Sequence, residues 1–420
     1  MTFYLQKFAN ACKIDKQTMS DSYTPPQNII DKYAHVLVNF ALNSGTGVKR
    51  GEVVQCIVPD VAKPMALALQ NTLLKAGAHP VIRLIPSGFD RDFYNLASDE
   101  QLGFFPRKFL KARADLIDHQ IGIIAESDPM ELSEVDPRKI MLMRNSQKPY
   151  RDWLVTKENR NLFTWTLALW GMPAKAKEVG LSLEDYWQQI IKACFLDEAD
   201  PVAKWREVFT MQEDIKKKLN DMRIQYVIVK GEDVDLTVKI GADRIWQGGS
   251  GRNIPSFEIF TSPDWRGVDG WIRFNEPLYR YGNVIRDIYL RVEHGLIVEA
   301  KAKTGNKFLQ AMLETKNANK FGEFSMTDKR MSHITHPMAE TLFDENIGGR
   351  FGNSHLAIGM AYKDCYRGNP DAVKANQWKA MGFNDSAEHT DMMTTTDRSV
   401  TAVLADGKEV LIYEDGQFVV

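Results

Sequence analysis

The first half of the chain alternates short apolar runs with amphipathic segments, which is typical of an α/β layer. Residues 53–58 form a β-branched run, and residues 80–85 form a second apolar run. Between them, apolar residues recur at helical spacing from Met65 to Leu73, and Gly77 follows where a helix would end. This order predicts a β-α-β unit with a right-handed connection in a parallel sheet.

The same pattern continues to about residue 230. Further buried strands are predicted at residues 121–125, 163–170 and 226–230. Ser182 is placed to cap the N-terminus of an intervening helix. The charged stretch 214–221 is predicted to be the exposed side of another helix.

After about residue 230, apolar runs are separated by short turns, which is typical of antiparallel hairpins. One helix is predicted near Lys307–Leu313, and the region 341–361 is expected to interrupt the strands. The predicted hairpins and the C-terminal meander pair residues 226–230 with 236–240, 284–292 with 296–302, and 400–404 with 410–413 and 418–420.

These patterns predict an α/β fold in two parts, and a chain of 420 residues is long enough for two domains. Residues 1–230 are expected to form an N-terminal α/β domain with a parallel sheet. Residues 231–420 are expected to form a C-terminal β-rich (α+β) domain.

Composition and charge limit the possible partners. The net charge is −2 and basic residues are scattered, so we expect no nucleic-acid or anionic-membrane partner. No apolar run approaches the roughly 20 residues of a spanning helix, and Met1–Lys7 lacks signal-peptide character. The cysteines are far apart, which predicts free thiols in a reducing compartment and a cytoplasmic protein. They are Cys12, Cys56, Cys194 and Cys365.

The last third of the chain concentrates carboxylates and imidazoles. Acidic oxygens mixed with neutral imidazole suit divalent cations better than a structural zinc, which usually recruits cysteine. This mixture favours metal-assisted hydrolysis. The candidate side chains here are Glu323, Glu345, His355, Tyr362, His389 and Asp391.

Each candidate also has a simpler explanation. His389 and Asp391 would share one face of a strand and converge on a cation, but they also fit an exposed strand end. His355 precedes a small-residue stretch that we predict to be a helical turn, where a lone histidine is typically a packed or capping residue. Tyr362 would lie on the same helical face as His355, and by default is a core tyrosine. Glu323 follows Gly322, which allows close backbone approach at a crowded site.

Taken together, the motifs resemble those of the thermophilic-type M29 metallo-aminopeptidases. The resemblance also includes Tyr33–Ala41 and Gly51–Pro59, so it covers most of the chain. The motifs that carry it, in order, are Asn-Ile-Pro-x-x-Glu at 253–258, Thr-Ser-Pro-Asp with Arg-Gly-Val-Asp-Gly at 261–270, Phe-Gly-Glu at 321–323, Thr-Leu-Phe-Asp-Glu-Asn at 341–346, Ser-His-Leu-Ala-Ile-Gly-x-Ala-Tyr at 354–362 and His-Thr-Asp-Met-Met at 389–393.

The resemblance implies a catalytic C-terminal domain, a homodimer and peptide substrates with a free N-terminus. It implies two neighbouring divalent metal ions, whose identity stays open between Zn, Co, Mn and Mg, with Tyr362 beside them. Glu323 or Glu345 is expected to move the proton of the attacking water. The metal ligands that the resemblance implies are Glu258, Glu323, Glu345, His355, His389 and Asp391.

Two other functions remain open from the sequence. One is a different binuclear-metal amidohydrolase. The other is a non-enzymatic α/β ligand-binding protein, because the glycine-rich loop Gln247–Gly251 resembles a phosphate-cradling loop. That loop lacks the GxGxxG spacing and a following Lys-Ser/Thr, so a connection between strands explains it better.

Overall fold

The computed structural model describes residues 22–241, 243–249, 251–280 and 283–420. Cys12 and the segment Met1–Lys7 lie outside the described residues, and so does Ser250 of the glycine-rich loop. The expectations of a free thiol at Cys12 and of a missing signal peptide therefore stay predictions.

Strands dominate the second half of the chain. In chain order they are β1 (Val53–Pro59), β2 (His79–Ile85), β3 (His119–Ile124), β4 (Thr164–Leu169), β5 (Tyr226–Gly231), β6 (Val234–Lys239), β7 (Gln247–Gly248), β8 (Asn253–Ile254), β9 (Glu258–Thr261), β10 (Val268–Phe274), β11 (Leu278–Arg280), β12 (Asn283–Glu293), β13 (Leu296–Thr304), β14 (Phe321–Thr327), β15 (Asn353–Gly359), β16 (His389–Thr394), β17 (Arg398–Val403), β18 (Glu409–Glu414) and β19 (Gln417–Phe418).

Helices are concentrated in the first half. In chain order they are α1 (Gln27–Val36), α2 (Lys63–Lys75), α3 (Asp90–Leu96), α4 (Asp99–Gly103), α5 (Arg107–Leu116), α6 (Pro137–Ser146), α7 (Lys148–Asn159), α8 (Pro173–Glu178), α9 (Leu183–Ala193), α10 (Pro201–Met222), α11 (Asn306–Leu313), α12 (Thr341–Asp344) and α13 (Ala375–Ala380). A π-helical turn, Leu37–Ala41, extends α1. The helices of the described segments include none with the length and sustained apolar character of a bilayer-crossing segment.

The N-terminal half is built on a parallel sheet in the order β2-β1-β3-β4-β8. The predicted β-α-β unit is present as β1, α2 and β2, and Gly77 follows the helix with a φ of 79°. The predicted helix cap is also present, since the Ser182 hydroxyl accepts a hydrogen bond from the Asp185 amide. The expected α/β fold is confirmed.

Two antiparallel sheets form most of the second half. One runs β11-β12-β10-β6-β5-β17-β18-β19, with β13 paired to β12, and contains the predicted hairpins and the C-terminal meander. The other runs β16-β15-β14-β9-β7. Because β5 pairs with β6 and β8 joins the N-terminal sheet, strands cross the region of the expected boundary. The division into residues 1–230 and 231–420 stays a prediction.

The helical turn predicted after His355 is wrong. Residues 353–359 form strand β15, which lies between β14 and β16. Every side chain of this strand is buried, so the sequence lacks the alternation that marks a half-exposed strand. Tyr362 therefore does not share a helical face with His355.

One hydrophobic core extends through both halves of the molecule. At their junction the rings of Trp205 and Phe257 stack with centroids 5.3 Å apart, and Phe195 packs edge-on against both. Phe257 is fully buried and directly precedes Glu258. The aromatic stack therefore fixes the start of β9, where the candidate site begins.

Candidate metal centre

Four adjacent strands bring five candidate side chains to one face of a sheet. Ser325 lies opposite His355, and Ala357 lies opposite both Glu323 and Asp391. Directly paired positions in antiparallel strands point to the same face, so these side chains converge. His389, two residues before Asp391, pairs with Gly359 and shares that face, and Glu258 begins the neighbouring strand β9.

The first group of potential ligands lies around the imidazole of His355. Its Nε2 atom is 3.3 Å from Oε1 of Glu323 and 3.5 Å from Oε2 of Glu258. One ligand atom from each of these three residues lies within 4.8 Å of the others. This is the compactness that a single cation requires.

The second group contains Glu323, His389 and Asp391, again with ligand atoms within 4.8 Å of one another. The Nε2 atom of His389 is 3.3 Å from Oε2 of Glu323 and 3.5 Å from Oδ1 of Asp391. Glu323 thus belongs to both groups and presents a different oxygen to each. A carboxylate in this position is suited to bridge two cations.

Close backbone packing explains the glycine before Glu323. A β-carbon on Gly322 would lie 2.1 Å from the carbonyl oxygen of Met360 and 2.5 Å from that of Gly359. The strand also has an irregular register between Phe321 and Glu323. Glycine at this position therefore allows the backbone at the end of β15 to lie close against β14, beside the shared carboxylate.

The local electrostatics favour added positive charge. Burial, together with the negative charge of Glu323, raises the pKa of Glu258 to about 8. Although burial opposes it, the hydrogen bond to Glu323 and the nearby carboxylates raise the pKa of His355 to about 9. A buried cluster of carboxylates with only two imidazoles binds protons when it lacks other cations, and divalent ions would displace them.

Two buried atoms of the candidate ligands lack hydrogen bonds within the described residues. They are Oδ1 of Asp391 and Nδ1 of His355. Buried polar atoms without a partner are rare in folded proteins. This Asp391 oxygen lies among the ligand atoms of the second group, 3.5 Å from Nε2 of His389. The donor set consists of hard oxygens and imidazole nitrogens, so the residues present fit divalent cations.

A hydrogen bond orients the second histidine for ligation. Nδ1 of His389 lies 2.9 Å from the carbonyl oxygen of Met360, to which it donates. When the imidazole is neutral, Nε2 is then the lone-pair nitrogen that faces Glu323 and Asp391. This is the usual way in which a ligating imidazole has its tautomer fixed.

Tyr362 lies beside the second group. Its ring packs edge-on against His389 with centroids 4.9 Å apart, and its backbone amide donates to the Ser262 hydroxyl. Burial and the negative charge of Glu323, Asp391 and the other carboxylates raise the pKa of Tyr362 above its usual value. Its phenol therefore stays protonated and can donate a hydrogen bond.

Glu345 is close to the centre but belongs to neither compact group. It follows α12, and its Oε1 atom lies 3.4 Å from the side-chain amides of Asn253 and Asn346. Burial and the charges of Glu258 and Asp391 raise the pKa of Glu345 well above its usual value. Because its carboxyl group lies beside the ligand groups and belongs to neither, Glu345 is placed to exchange a proton with a group bound there.

The segment that carries Glu345 is held from the N-terminal half. The ammonium group of buried Lys175, on α8, donates to the carbonyl oxygen of Ala339 at 2.6 Å and lies 3.3 Å from Glu340 and 3.0 Å from Glu126. The hydroxyl group of Tyr186 donates to the carbonyl oxygen of Met338, the residue before Ala339. These contacts fix the N-terminal end of α12.

Sequence reasoning missed Lys175, Asn253 and Asn346 as members of this site. Asn253 and Asn346 both lie in motifs that carry the family resemblance, and this was the available signal for them. Lys175 lies 165 positions before Glu340 in a charged stretch, so nothing local distinguishes it from a solvated lysine. Only the tertiary fold identifies it.

The glycine-rich loop is explained by packing. A β-carbon on Gly248 would lie 2.2 Å from the carbonyl oxygen of Glu258, and one on Gly251 would lie 2.4 Å from that of Ala41. Gln247 and Gly248 pair with β9 as a short strand. The loop thus supports the strand that carries Glu258, and this favours the connection between strands over a phosphate cradle.

The chain is similar to bacterial aminopeptidases over most of its length. Aminopeptidase T of Thermus aquaticus is 30% identical over 319 residues, which cover 71% of this chain and 76% of that protein. Aminopeptidase 2 of Geobacillus stearothermophilus is 26% identical over 415 residues, 93% of this chain and 97% of that protein. Aminopeptidase AmpS of Bacillus subtilis is 27% identical and covers 90% of this chain.

The fold also matches a solved structure. Wild-type AmpT from Thermus thermophilus superposes with a TM-score of 0.81 at 24% identity, covering 94% of this chain and 100% of that one. The model of the family described as thermophilic metalloprotease (M29) matches residues 26–418. The resemblance found in the sequence is confirmed: this chain belongs to the M29 family of metalloproteases, which implies a divalent metal.

Proposed function

We propose that this protein is a metal-dependent aminopeptidase whose active site holds two neighbouring divalent cations. The main support for two cations is the position of Glu323, whose two carboxylate oxygens face separate ligand groups. The proposed ligands are Glu258, Glu323 and His355 for one cation, and Glu323, His389 and Asp391 for the other. The choice between Zn, Co, Mn and Mg stays open, because carboxylates and imidazoles accept all four.

The chemistry that such cations supply is a water of lowered pKa and a polarised scissile carbonyl. We assign proton transfer to Glu345. Glu323 was the alternative, but its oxygens are both directed at histidines in the ligand groups, whereas Glu345 lies outside both groups. A carboxylate in this position takes a proton from the attacking water and passes it to the leaving amine.

Tyr362 is proposed to donate a hydrogen bond to the carbonyl oxygen as negative charge develops on it. Its packing against His389 fixes the ring, and its raised pKa keeps the hydroxyl protonated. A donor held in advance strengthens as the transition state forms, and removing one such donor typically lowers kcat by about 10²–10³.

Restriction to the N-terminus is proposed to come from recognition of the free α-ammonium group. The carboxamide oxygen of Asn253 is buried and lacks a hydrogen-bond partner within the described residues, and its amide nitrogen lies 3.4 Å from Glu345. This acceptor beside a carboxylate suits an ammonium donor. A blocked N-terminus offers no positive charge there and is expected to be a poor substrate.

The direct test compares peptides with free and with acetylated N-termini. We expect release of the first residue from the free peptide only, loss of release after chelation and recovery after metal is added back. His389→Ala should abolish turnover while the far-ultraviolet circular dichroism stays unchanged. Cleavage of acetylated peptides at a similar rate would favour an amidase or endopeptidase instead.

Two further proposals rest on the family resemblance and on composition. The chain is proposed to form a homodimer, which sedimentation would test. It is also proposed to act in the cytoplasm on peptides, without nucleic-acid or membrane partners. The thiols of Cys56, Cys194 and Cys365 are free and buried, which fits a reducing compartment.

A further inference from the structure

A cavity of about 500 Å³ opens in the N-terminal half, and its lining residues include none of the candidate metal ligands. It lies between the parallel sheet and helices α5 and α7. Ile57 and Gln120 contribute from the sheet, and Leu110 and Tyr150 contribute from the helices. This volume is typical of sites that bind small molecules.

The charge around the cavity is one-sided. Arg83, Arg113 and Arg151 line it, and the lining residues include no Asp or Glu. Within the described part of the chain, none of these three guanidinium groups lies in an ion pair with a carboxylate. Arg151 instead donates to the carbonyl oxygen of Arg144. The cavity therefore presents positive charge that the surrounding protein does not neutralise.

The guanidinium group of Arg113 is held in position by neighbouring side chains. Its Nε atom donates to the side-chain oxygen of Gln55. The side-chain nitrogen of Gln55 in turn donates to the side-chain oxygen of Gln120 at 2.8 Å. The guanidinium also lies over the ring of Tyr150, 5.3 Å from its centroid. Burial lowers the pKa of Arg113, Tyr150 raises it, and the positive charge of Arg83 lowers it, with burial the largest of these effects, and an anion nearby would oppose the lowering.

One polar atom of a lining residue, in the side chain of Tyr150, lacks a hydrogen-bond partner within the described residues. The hydroxyl oxygen of Tyr150 is buried and has no hydrogen bond within the described residues. A buried hydroxyl group without a partner is uncommon, and a ligand oxygen would satisfy it. The Arg113 guanidinium lies over the ring that carries this hydroxyl group, and both residues line the cavity, so one anionic group is able to approach both.

The rest of the lining is largely apolar, which favours a ligand whose remaining part is also apolar. Ile57, Leu110 and Leu154 form part of the wall, and Phe109 stands at the surface with 67% of its area exposed. The absence of Asp and Glu from the lining leaves no partner for an ammonium group. A zwitterionic amino acid is therefore a poor match.

We propose that this cavity binds small carboxylates that carry an apolar group and no positive charge, with the carboxylate between Arg113 and Tyr150. The site is independent of the proposed peptidase activity, because it shares no residue with the metal centre. Failure of either proposal leaves the other standing.

Calorimetric titration of the metal-loaded protein with N-acetyl-L-phenylalanine tests the site. The matched neutral probe is N-acetyl-L-phenylalaninamide, which has the same apolar body. We expect the acid to bind about 10-fold or more tightly than the amide, since a charge-assisted hydrogen bond distinguishes them. Equal binding of the two compounds, or no binding of the acid, would overturn the proposal.

Variants then place the bound acid in this cavity. Arg113→Gln should weaken binding roughly 10-fold or more, and Tyr150→Phe, which keeps the shape, should weaken it by a few-fold. Leu154→Trp should block binding by filling the space. Arg107→Gln is the control, because Arg107 lies on the same helix outside the lining. If the acid binds the three lining variants as tightly as it binds the native protein and the Arg107→Gln control, it occupies another site, such as the metal centre, and the assignment is wrong.

Discussion

The carboxylate of Glu323 lies 3.3 Å from the Nε2 atom of His355 on the neighbouring strand. Its other oxygen lies at the same distance from Nε2 of His389. One buried side chain therefore joins two groups of ligands that come from different strands. The whole account of a binuclear centre depends on this shared carboxylate.

Replacing Glu345 with Gln should separate proton transfer from metal binding. We expect kcat to fall by about 10²–10⁴, because the amide cannot accept the proton of the attacking water. Metal content should stay at the native value, because Glu345 lies outside both ligand groups. Glu314→Gln, at an exposed position, is the control. Loss of a cation from the Glu345 variant would instead make this residue a ligand.

Tyr362→Phe should lower kcat by about 10²–10³ with little change in KM, since its hydrogen bond forms mainly in the transition state. The aromatic contact with His389 survives in this variant, so metal content should not change. Tyr366→Phe is the matched control, because Tyr366 packs against Trp378 in a separate aromatic cluster. A rise in KM at unchanged kcat would mean that Tyr362 binds substrate and does not stabilise the oxyanion.

Lys175→Met should impair both stability and catalysis. Removing the ammonium group leaves the buried carboxylate of Glu340 without its cation, which typically lowers the free energy of unfolding by about 3–5 kcal/mol. The released end of α12 should also displace Glu345, and we expect kcat to fall roughly 10- to 100-fold at unchanged metal content.

Lys177→Met, on the same helix and exposed, controls for the loss of a lysine. Denaturant unfolding and steady-state kinetics would be measured on both variants. Unfolding midpoints that agree between Lys175→Met and the native protein would remove the proposed structural role of this lysine.

Metal binding should release protons. The pKa values of Glu258 and His355 are raised to about 8 and about 9, so at pH 7 both groups hold protons in the metal-free protein. A cation displaces these protons, and its affinity should therefore rise as pH increases from 7 toward 9. Calorimetry in buffers of different ionisation enthalpy counts the protons released. Affinity that is flat or falls over this range would contradict the proposed ligand set.

Local pattern was enough to predict most of the elements. The β1-α2-β2 unit, the Ser182 cap and the hairpins each depend on residues that are neighbours in sequence, and these predictions are confirmed. The stretch that follows His355 was predicted to be a helical turn and is a strand. Burial on both faces removes the period-two signal there, so sequence alone cannot distinguish the two.

The candidate site was harder to predict from the spacing of residues in the sequence alone. His389 and Asp391 sit two apart on one strand, and their shared face follows from strand geometry. The meeting of Glu258 with His355 depends on the pairing of β9, β14 and β15, which the family resemblance anticipated and local pattern did not. The ion pair between Lys175 and Glu340 joins the two halves of the molecule, so no local sequence pattern predicts it.

Counting metal ions in the native protein and in Glu323→Gln tests the shared carboxylate most directly. We expect elemental analysis after dialysis to give about two divalent cations per native chain, as a binuclear site requires. The variant should lose tight binding of both cations and about 10³-fold or more of the activity, while Glu232→Gln, in an exposed turn, keeps both. A single cation in the native protein, or a variant that retains two, would contradict the binuclear centre.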